Sequence, residues 1–247
     1  MFNTLSNSKS LLITVVCCLI MTTSCQKDKT ITFSETQISK EKETFVEIVL
    51  PKANGKTKTA KNINAALNNF ACQILNIDSA KSKKETIEES ITAFNEAYTN
   101  FNKSFLSDFD SKFPRWEALI DGEVSYQNEA LVSISMNGSI NTGAASSNLK
   151  FKFFNFDLTN GKSLTTKDLI NDIDAFKAIV KKYYDKELMT TYTSINNNTS
   201  DFKLPETIGF NDNGVIIIYD NFDLGHVNTQ LLEFTIPFTV VDQYINY

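Results

Sequence analysis

Apolar residues in the first half of the chain recur every three or four positions, the spacing of one helix face. The first series is Ile63, Leu67, Phe70 and Ile74. The second series is Ile87, Ile91, Phe94, Tyr98, Phe101 and Phe105. The longer series predicts a helix of about six turns, and Ser82 with Glu85 predicts a capping box at its start. We expect both apolar stripes to face a core.

After Pro114, apolar and polar residues alternate, as they do in half-exposed strands. The predicted strands are residues 123–126, 130–136, 150–157, 208–210, 215–219 and 231–236, besides an earlier strand at 45–50 that ends at Pro51. The predicted tight turns are Gln127-Asn128, Asn160-Gly161 and Asn213-Gly214. The predicted helices are a short one capped by Thr165 or Thr166, a longer one from Asp172 or Asp174 to about residue 189, and a final one at 239–244.

Helices and strands are mixed without a regular strand–helix–strand repeat. The predicted fold class is therefore α+β, with two small lobes in which helices pack on antiparallel sheets. Residues 43–145 are predicted as an N-terminal domain and residues 146–247 as a C-terminal domain. Residues 25–42 are predicted as a flexible tether, because positions 26–40 are polar, charged and poorly periodic.

Residues 1–24 have the pattern of an export signal. Lys9 precedes the apolar run 11–21, which is too short for a membrane span of roughly 20 residues, and small residues precede Cys25. This resembles a bacterial lipobox, although Thr22 replaces the usual leucine, and it predicts a lipid anchor on Cys25; an ordinary secretory signal is the alternative. Residues 26–28 (QKD) resemble the export tag of Bacteroidetes surface lipoproteins. The expected location is the outer membrane, either surface-exposed or facing the periplasm.

The charge balance disfavours nucleic acid as a partner. The sequence has 24 basic and 29 acidic residues, a net charge of −5, and Arg115 is the sole arginine. Nucleic-acid binding needs a basic surface that displaces counterions. Beyond the predicted leader and Cys25, Cys72 is the one remaining cysteine, and its apolar neighbours predict burial as a small hydrophobic residue.

No catalytic or metal-binding motif stands out, and the sequence predicts no enzyme and no cofactor. A single histidine, His226, cannot form a histidine-rich metal site. Asp212, Asp220 and Asp223 surround a turn, where carboxylates could bind Ca²⁺ or act in glycoside hydrolysis, although turns favour Asp in any case. Trp116 could stack on a sugar or lie buried at a domain junction.

The chain from about Gly122 onward carries a recognisable series of motifs. These are Thr142-Gly143-Ala144-Ala145, NFDLTNGK at 155–162, LTTKDLI at 164–170, GVIIIY at 214–219, NFDLG at 221–225 and FTIPF at 234–238. In order and spacing they resemble the paired extracellular domains of the anti-sigma factor RsiV and the peptidoglycan deacetylase PdaC. The histidine of the family's glycine turn is absent, since Ala145 and Ser146 stand there. The resemblance implies an envelope binding module, because the family's deacetylase chemistry lies in a separate domain and its RsiV member senses lysozyme.

These observations favour a non-enzymatic envelope lipoprotein that binds a protein, such as a basic muramidase, or a peptidoglycan ligand. The alternatives are a structural or accessory lipoprotein and a peptidoglycan-active hydrolase. Binding residues are expected on loops. The first candidate loop, 139–148, contains Thr142 and Gly143, and the second, 220–229, contains Asp223, Gly225 and His226.

Overall fold

The computed structural model describes residues 30–77, 85–108, 113–143, 148–191, 202–219 and 231–247. Residues 31–247 belong to one compact unit. In chain order the elements are β1 (Phe33–Glu41), β2 (Phe45–Ala53), α1 (Lys58–Leu75), α2 (Ile87–Asp108), β3 (Glu117–Gln127), β4 (Leu131–Asn141), β5 (Asn148–Asp157), β6 (Ser163–Leu164), α3 (Thr166–Leu169), α4 (Ile173–Thr191), β7 (Gly209–Asn211), β8 (Gly214–Tyr219), β9 (Leu232–Pro237), α5 (Phe238–Val241) and a 3₁₀ turn (Asp242–Tyr244). The α+β class is confirmed.

Strands β1 to β6 form one sheet in chain order. Neighbouring strands are antiparallel except β2 and β3, which are parallel. A parallel pair needs a long crossover, and α1 and α2 lie in that crossover. Helix α1 approaches the sheet closely at Gly138 of β4, where an added Cβ would lie 2.6 Å from Ile74 Cγ1. The described sheets are therefore antiparallel, as predicted, apart from this one pair.

The long helices begin where side chains cap their free amides. The Thr57 hydroxyl accepts a hydrogen bond from the Ala60 amide at the start of α1. At the start of α2, Thr86 Oγ1 accepts from the Glu89 amide, and Glu89 Oε2 accepts from the Thr86 amide. The capping box is thus Thr86 with Glu89, four residues after the predicted one. Ser82 lies outside the described residues.

The predicted tether at 25–42 is wrong for its second half, because Phe33–Glu41 is strand β1. All nine residues of β1 pair with β2 in an antiparallel register. Phe33 and Ile38 pack against the first core, while most of the other side chains of β1 are exposed. An edge strand with one solvent face needs few apolar residues, so its sequence looks like that of a polar linker.

Pro51 lies inside β2 and does not end it. Proline lacks an amide hydrogen, so it suits a strand position that has only one strand neighbour. The pairing of β2 with β3 stops at Val49, whereas its pairing with β1 continues past Pro51 to Ala53. Strand β2 can therefore continue beyond Pro51 to Ala53.

The second half of the chain adds the three-stranded sheet β7-β8-β9 and helix α4. All six residues of β8 are buried, which agrees with its continuous apolar sequence. A first core lies between the six-stranded sheet and the helices α1 and α2, and a second core includes Phe176, Phe210 and Ile217. The predicted domain boundary at 145/146 falls between β4 and β5, which pair along ten residues of one sheet, so the sheet continues across it.

Within the described ranges, no helix is long and apolar enough to cross a membrane.

Candidate functional site

Of the predicted binding residues, the structure describes Thr142 and Gly143, at the end of β4. Gly143 has a φ of +76°, and an added Cβ would lie 2.6 Å from Phe113 Cε1. Its amide donates to Asn141 Oδ1 at 2.9 Å. The positive φ and the nearby Phe113 ring are enough to explain why this position is a glycine, so no ligand is needed to account for it. The prediction that this loop binds a partner stays a prediction.

The other predicted site residues are not described by the structure. They are Asp223, Gly225 and His226, together with the predicted lipid attachment site Cys25. Asp220 also lies outside the described ranges, whereas Asp212 is exposed at the β7–β8 turn.

Trp116 is part of the first core and is only 7% exposed. Its ring packs against the rings of Phe94, Tyr98 and Phe101 at centroid distances of 5.4–5.8 Å. The predicted burial of Trp116 is confirmed, although the residue lies in the first core and not at a domain junction. The alternative prediction, that Trp116 stacks on a sugar, is wrong because its ring is buried. Cys72 is likewise buried in the first core, as predicted.

The NFDLTNGK motif builds a turn between β5 and β6. Asp157 accepts hydrogen bonds from the Thr159 amide at 2.7 Å, the Thr159 hydroxyl and Asn160 Nδ2. Burial raises the pKa of Asp157, but these hydrogen bonds together outweigh it and lower that pKa. Gly161 has a φ of +73° and lies where an added Cβ would be 2.7 Å from Thr59 Cα. The motif therefore packs the β5–β6 turn closely against the start of α1.

The next motif residues tie this turn to α3. Lys162 Nζ lies 2.5 Å from Asp168 Oδ1, and Asp168 Oδ2 accepts from the amide and hydroxyl of Thr165. The hydrogen bond from Lys162, followed by those from Thr165, holds the pKa of Asp168 far below its usual value. The same pairing raises the pKa of Lys162. Asp157 and Asp168 thus stabilise local structure, and their carboxylates are already engaged.

A cleft of about 660 Å³ opens beside this turn, and we call it the lysine cleft. Its charged lining residues are Lys152, Lys167, Lys177, Lys203 and Glu206, a local balance of four positive charges against one negative. Its apolar lining residues are Phe153, Phe154, Leu164, Ile173, Leu204 and Pro205, and its other polar ones are Asn155, Ser163, Thr165, Thr166 and Thr207. Clefts of roughly 300–1,000 Å³ with mainly apolar walls and a few polar groups are typical of small-ligand sites.

The lysine cleft forms where the six-stranded sheet is incomplete. Strand β6 pairs only with Asn155 and Phe156 of β5. The segment 203–208 lies beside the rest of that edge, where the Phe153 amide donates to Thr207 Oγ1 at 3.3 Å and Asn155 Nδ2 donates to the Ile208 carbonyl at 2.8 Å. The space left between β5, β6, α3 and this segment is the cleft.

The lysines of the cleft differ in their partners. Lys152 Nζ lies 3.7 Å from Glu206 Oε1 and 5.6 Å from the centre of the Phe154 ring. Among the described residues, Lys167 and Lys177 have no ion pair and no hydrogen-bond partner, and Lys177 is half-buried. Two ammonium groups at an apolar cleft are therefore left available for an anion. Sequence reasoning missed this site, because the four lysines are widely separated in the chain and follow no motif.

Comparison with known proteins agrees with this architecture. Residues 38–148 match the family model of the deacetylase PdaC. They form a PdaC-like domain. This domain runs from β1 to the first residue of β5. The predicted resemblance to this family is confirmed, although most of the motifs quoted for it follow the matched residues. The remaining part of the sheet lies beyond the matched residues.

Two solved structures share the fold over nearly the whole chain. A DUF3298 family protein from Pseudomonas aeruginosa PAO1 has a TM-score of 0.59 at 14% identity, covering 89% of this chain and 96% of that one. A DUF3298 family member from Bacteroides fragilis NCTC 9343 has a TM-score of 0.59 at 15% identity, covering 88% of this chain and 94% of that one. No curated protein matches the chain significantly.

Proposed function

We propose that this protein is a non-enzymatic binding module of the bacterial cell envelope, held at the outer membrane by a lipid on Cys25. The lysine cleft is the site that binds its ligand, and the ligand is an acidic fragment of peptidoglycan. The observation that carries this proposal is that Lys167 and Lys177, at a cleft of small-ligand size, have no partner among the described residues.

The charge of the lysine cleft favours one of the two proposed ligand classes. The whole chain has a net charge of −5, whereas the lining of the cleft carries four lysines and one glutamate. Complementary potentials favour an anionic ligand at such a site. Peptidoglycan peptides carry carboxylates, whereas a basic muramidase would be repelled from the cleft. A muramidase would instead bind an acidic surface such as the loop with Asp223, which remains a prediction.

The proposal treats the PdaC-like domain as non-catalytic, although the matched family is named for a deacetylase. The motif carboxylates Asp157 and Asp168, which follow this domain in the chain, are likewise occupied by turn and capping hydrogen bonds. Hydrolase activity is the competing function, and turnover assays on peptidoglycan test it directly.

Co-sedimentation with purified peptidoglycan sacculi tests the binding function. We expect the full chain, purified in detergent, to sediment with sacculi. The double variant Lys167→Gln/Lys177→Gln should sediment much less, because it removes two positive charges from the lining of the cleft. Lys182→Gln, an exposed lysine of α4 outside the cleft, is the matched control and should bind normally.

Three results would contradict the proposal. Equal sedimentation of the double variant and the wild type would remove the lysine cleft as the site. Sedimentation of neither protein would favour the structural or accessory role. Release of soluble sugar or acetate from the sacculi would show an enzyme.

A further inference from the structure

The lining of the lysine cleft combines three kinds of recognition group, and together they narrow the ligand chemistry. The first kind is positive charge without a partner. The half-buried Lys177 and the exposed Lys167 have no anion within the described residues. A positive charge that is partly removed from water is stabilised most by an anion that also accepts hydrogen bonds from it. A carboxylate supplies both.

The second kind of group is the apolar wall. Phe154, Leu204 and Ile173 are half-buried and line the cleft, whereas Phe153 beside them is almost fully buried. Apolar walls gain free energy by removing aliphatic or aromatic surface from water. They are therefore poor partners for a bare sugar hydroxyl or a free phosphate, and they favour a ligand with apolar side groups next to its carboxylate.

The third kind is a set of polar groups that can each form a further hydrogen bond. The Ser163 hydroxyl has no partner among the described residues, and the Thr207 hydroxyl accepts from the Phe153 amide but donates to nothing described. Asn155, also in the lining, has a buried Oδ1 without a hydrogen bond. A simple acyl chain would leave these groups unmatched, whereas a peptide backbone offers both donors and acceptors.

We propose that the lysine cleft binds the carboxyl-terminal end of a short peptide with small apolar side chains. Its terminal carboxylate lies between Lys167 and Lys177, its side chains lie against Phe154 and Leu204, and its backbone bonds to Ser163 and Thr207. This inference rests on the proposed function and specifies which part of a peptidoglycan fragment the cleft recognises.

Titration with defined probes tests this specificity by NMR chemical-shift changes on the full chain in detergent micelles. The probes are N-acetyl-alanyl-alanine with a free carboxylate, the same dipeptide with a C-terminal amide, and decanoate. We expect the free acid to bind in the millimolar range or tighter, which is reasonable for so small a ligand. The amide should bind at least about tenfold more weakly, because it lacks the charge that pairs with the lysines.

The lysine variants locate the effect. Lys167→Gln/Lys177→Gln should lose at least about tenfold in affinity for the free acid, and the control Lys182→Gln should lose none. Equal binding of acid and amide, tighter binding of decanoate, no binding of the acid, or no effect of the double variant would each overturn the inference. If the wild-type protein still binds sacculi in that case, the proposed function stands and only the proposed peptide specificity is wrong. If sacculi are not bound either, both fail.

Discussion

Gly161 shows how single residues of the NFDLTNGK motif act through packing. Its positive φ is a conformation that residues with a Cβ adopt at a cost of about 1–2 kcal/mol, and its α-carbon lies against the backbone of Thr59. The Gly161 carbonyl also accepts a hydrogen bond from Asn62 Nδ2 at 2.9 Å. The NFDLTNGK motif therefore connects the β5–β6 turn to α1.

Replacing this glycine should destabilise the protein by more than its backbone strain alone. We expect Gly161→Ala to lower the free energy of unfolding by about 2–4 kcal/mol, since the new Cβ has both an unfavourable φ and a clash. Gly55→Ala is the matched control, because Gly55 also has a positive φ but nothing within 4 Å of an added Cβ. Urea unfolding measures both, and equal losses would show that the contact with Thr59 is unimportant.

The Asp168 carboxylate makes stability depend on pH in the acid range. Its pKa is lowered in the folded protein, first by the hydrogen bond from Lys162. Its stabilising effect is therefore complete above the unfolded pKa of about 3.9 and is lost as the pH falls toward the folded value. We expect the melting temperature to fall less between about pH 6 and pH 3 in Asp168→Asn than in the wild type.

Asp174→Asn is the matched control for this pH experiment. Asp174 is an exposed carboxylate in the first turn of α4 with no hydrogen-bond partner among the described residues. Its variant should keep the acid sensitivity of the wild type. Equal pH dependence of Asp168→Asn and the wild type would contradict a stabilising role for the pair of Lys162 and Asp168.

At the scale of secondary-structure elements, β1 is the clearest departure from the sequence prediction. It forms the outer strand of the six-stranded sheet and covers one edge of β2. Its few apolar side chains, among them Ile38, contact the first core. The chain between the predicted lipid anchor and the folded unit is thus shorter than a tether ending at residue 42 would make it.

If β1 is part of the folded sheet, its apolar face must contribute to stability. We expect Ile38→Ala to lower the free energy of unfolding by about 1–2 kcal/mol, less than for a fully buried isoleucine because Ile38 is half-exposed. Gln37→Ala changes the exposed neighbour on the opposite face and should change stability by less than about 0.5 kcal/mol. Urea unfolding that gave the same value for both variants would argue against packing of β1.

At the scale of the whole molecule, charge is unevenly distributed. The acidic chain carries a cleft bordered by lysines, so the charge of the proposed ligand-binding surface has the opposite sign to that of the molecule as a whole. Such local fields guide charged ligands to the site and weaken as the salt concentration rises. Attachment at the outer membrane would hold this cleft within reach of the cell wall.

The proposed membrane attachment depends on Cys25, and replacement of this residue tests it. We expect the wild type to enter the detergent phase on phase separation of cell extracts, because a diacyl anchor buries long apolar chains. Cys25→Ala should move to the aqueous phase. A variant that stayed in the detergent phase, or a wild type without radiolabelled palmitate, would contradict lipidation of Cys25.

The sequence by itself determined the elements whose signals are local. The helical stripe from Ile87, the Asn160-Gly161 turn and the apolar strand β8 all agree with the structure, because period, turn chemistry and continuous hydrophobicity are properties of neighbouring residues. Tertiary structure alone decided the rest. The membership of β1 in the sheet depends on pairing with β2, and the lysine cleft depends on segments distant in sequence that meet at the open edge of β5. Neither pairing partners nor converging side chains leave a periodic pattern in the chain.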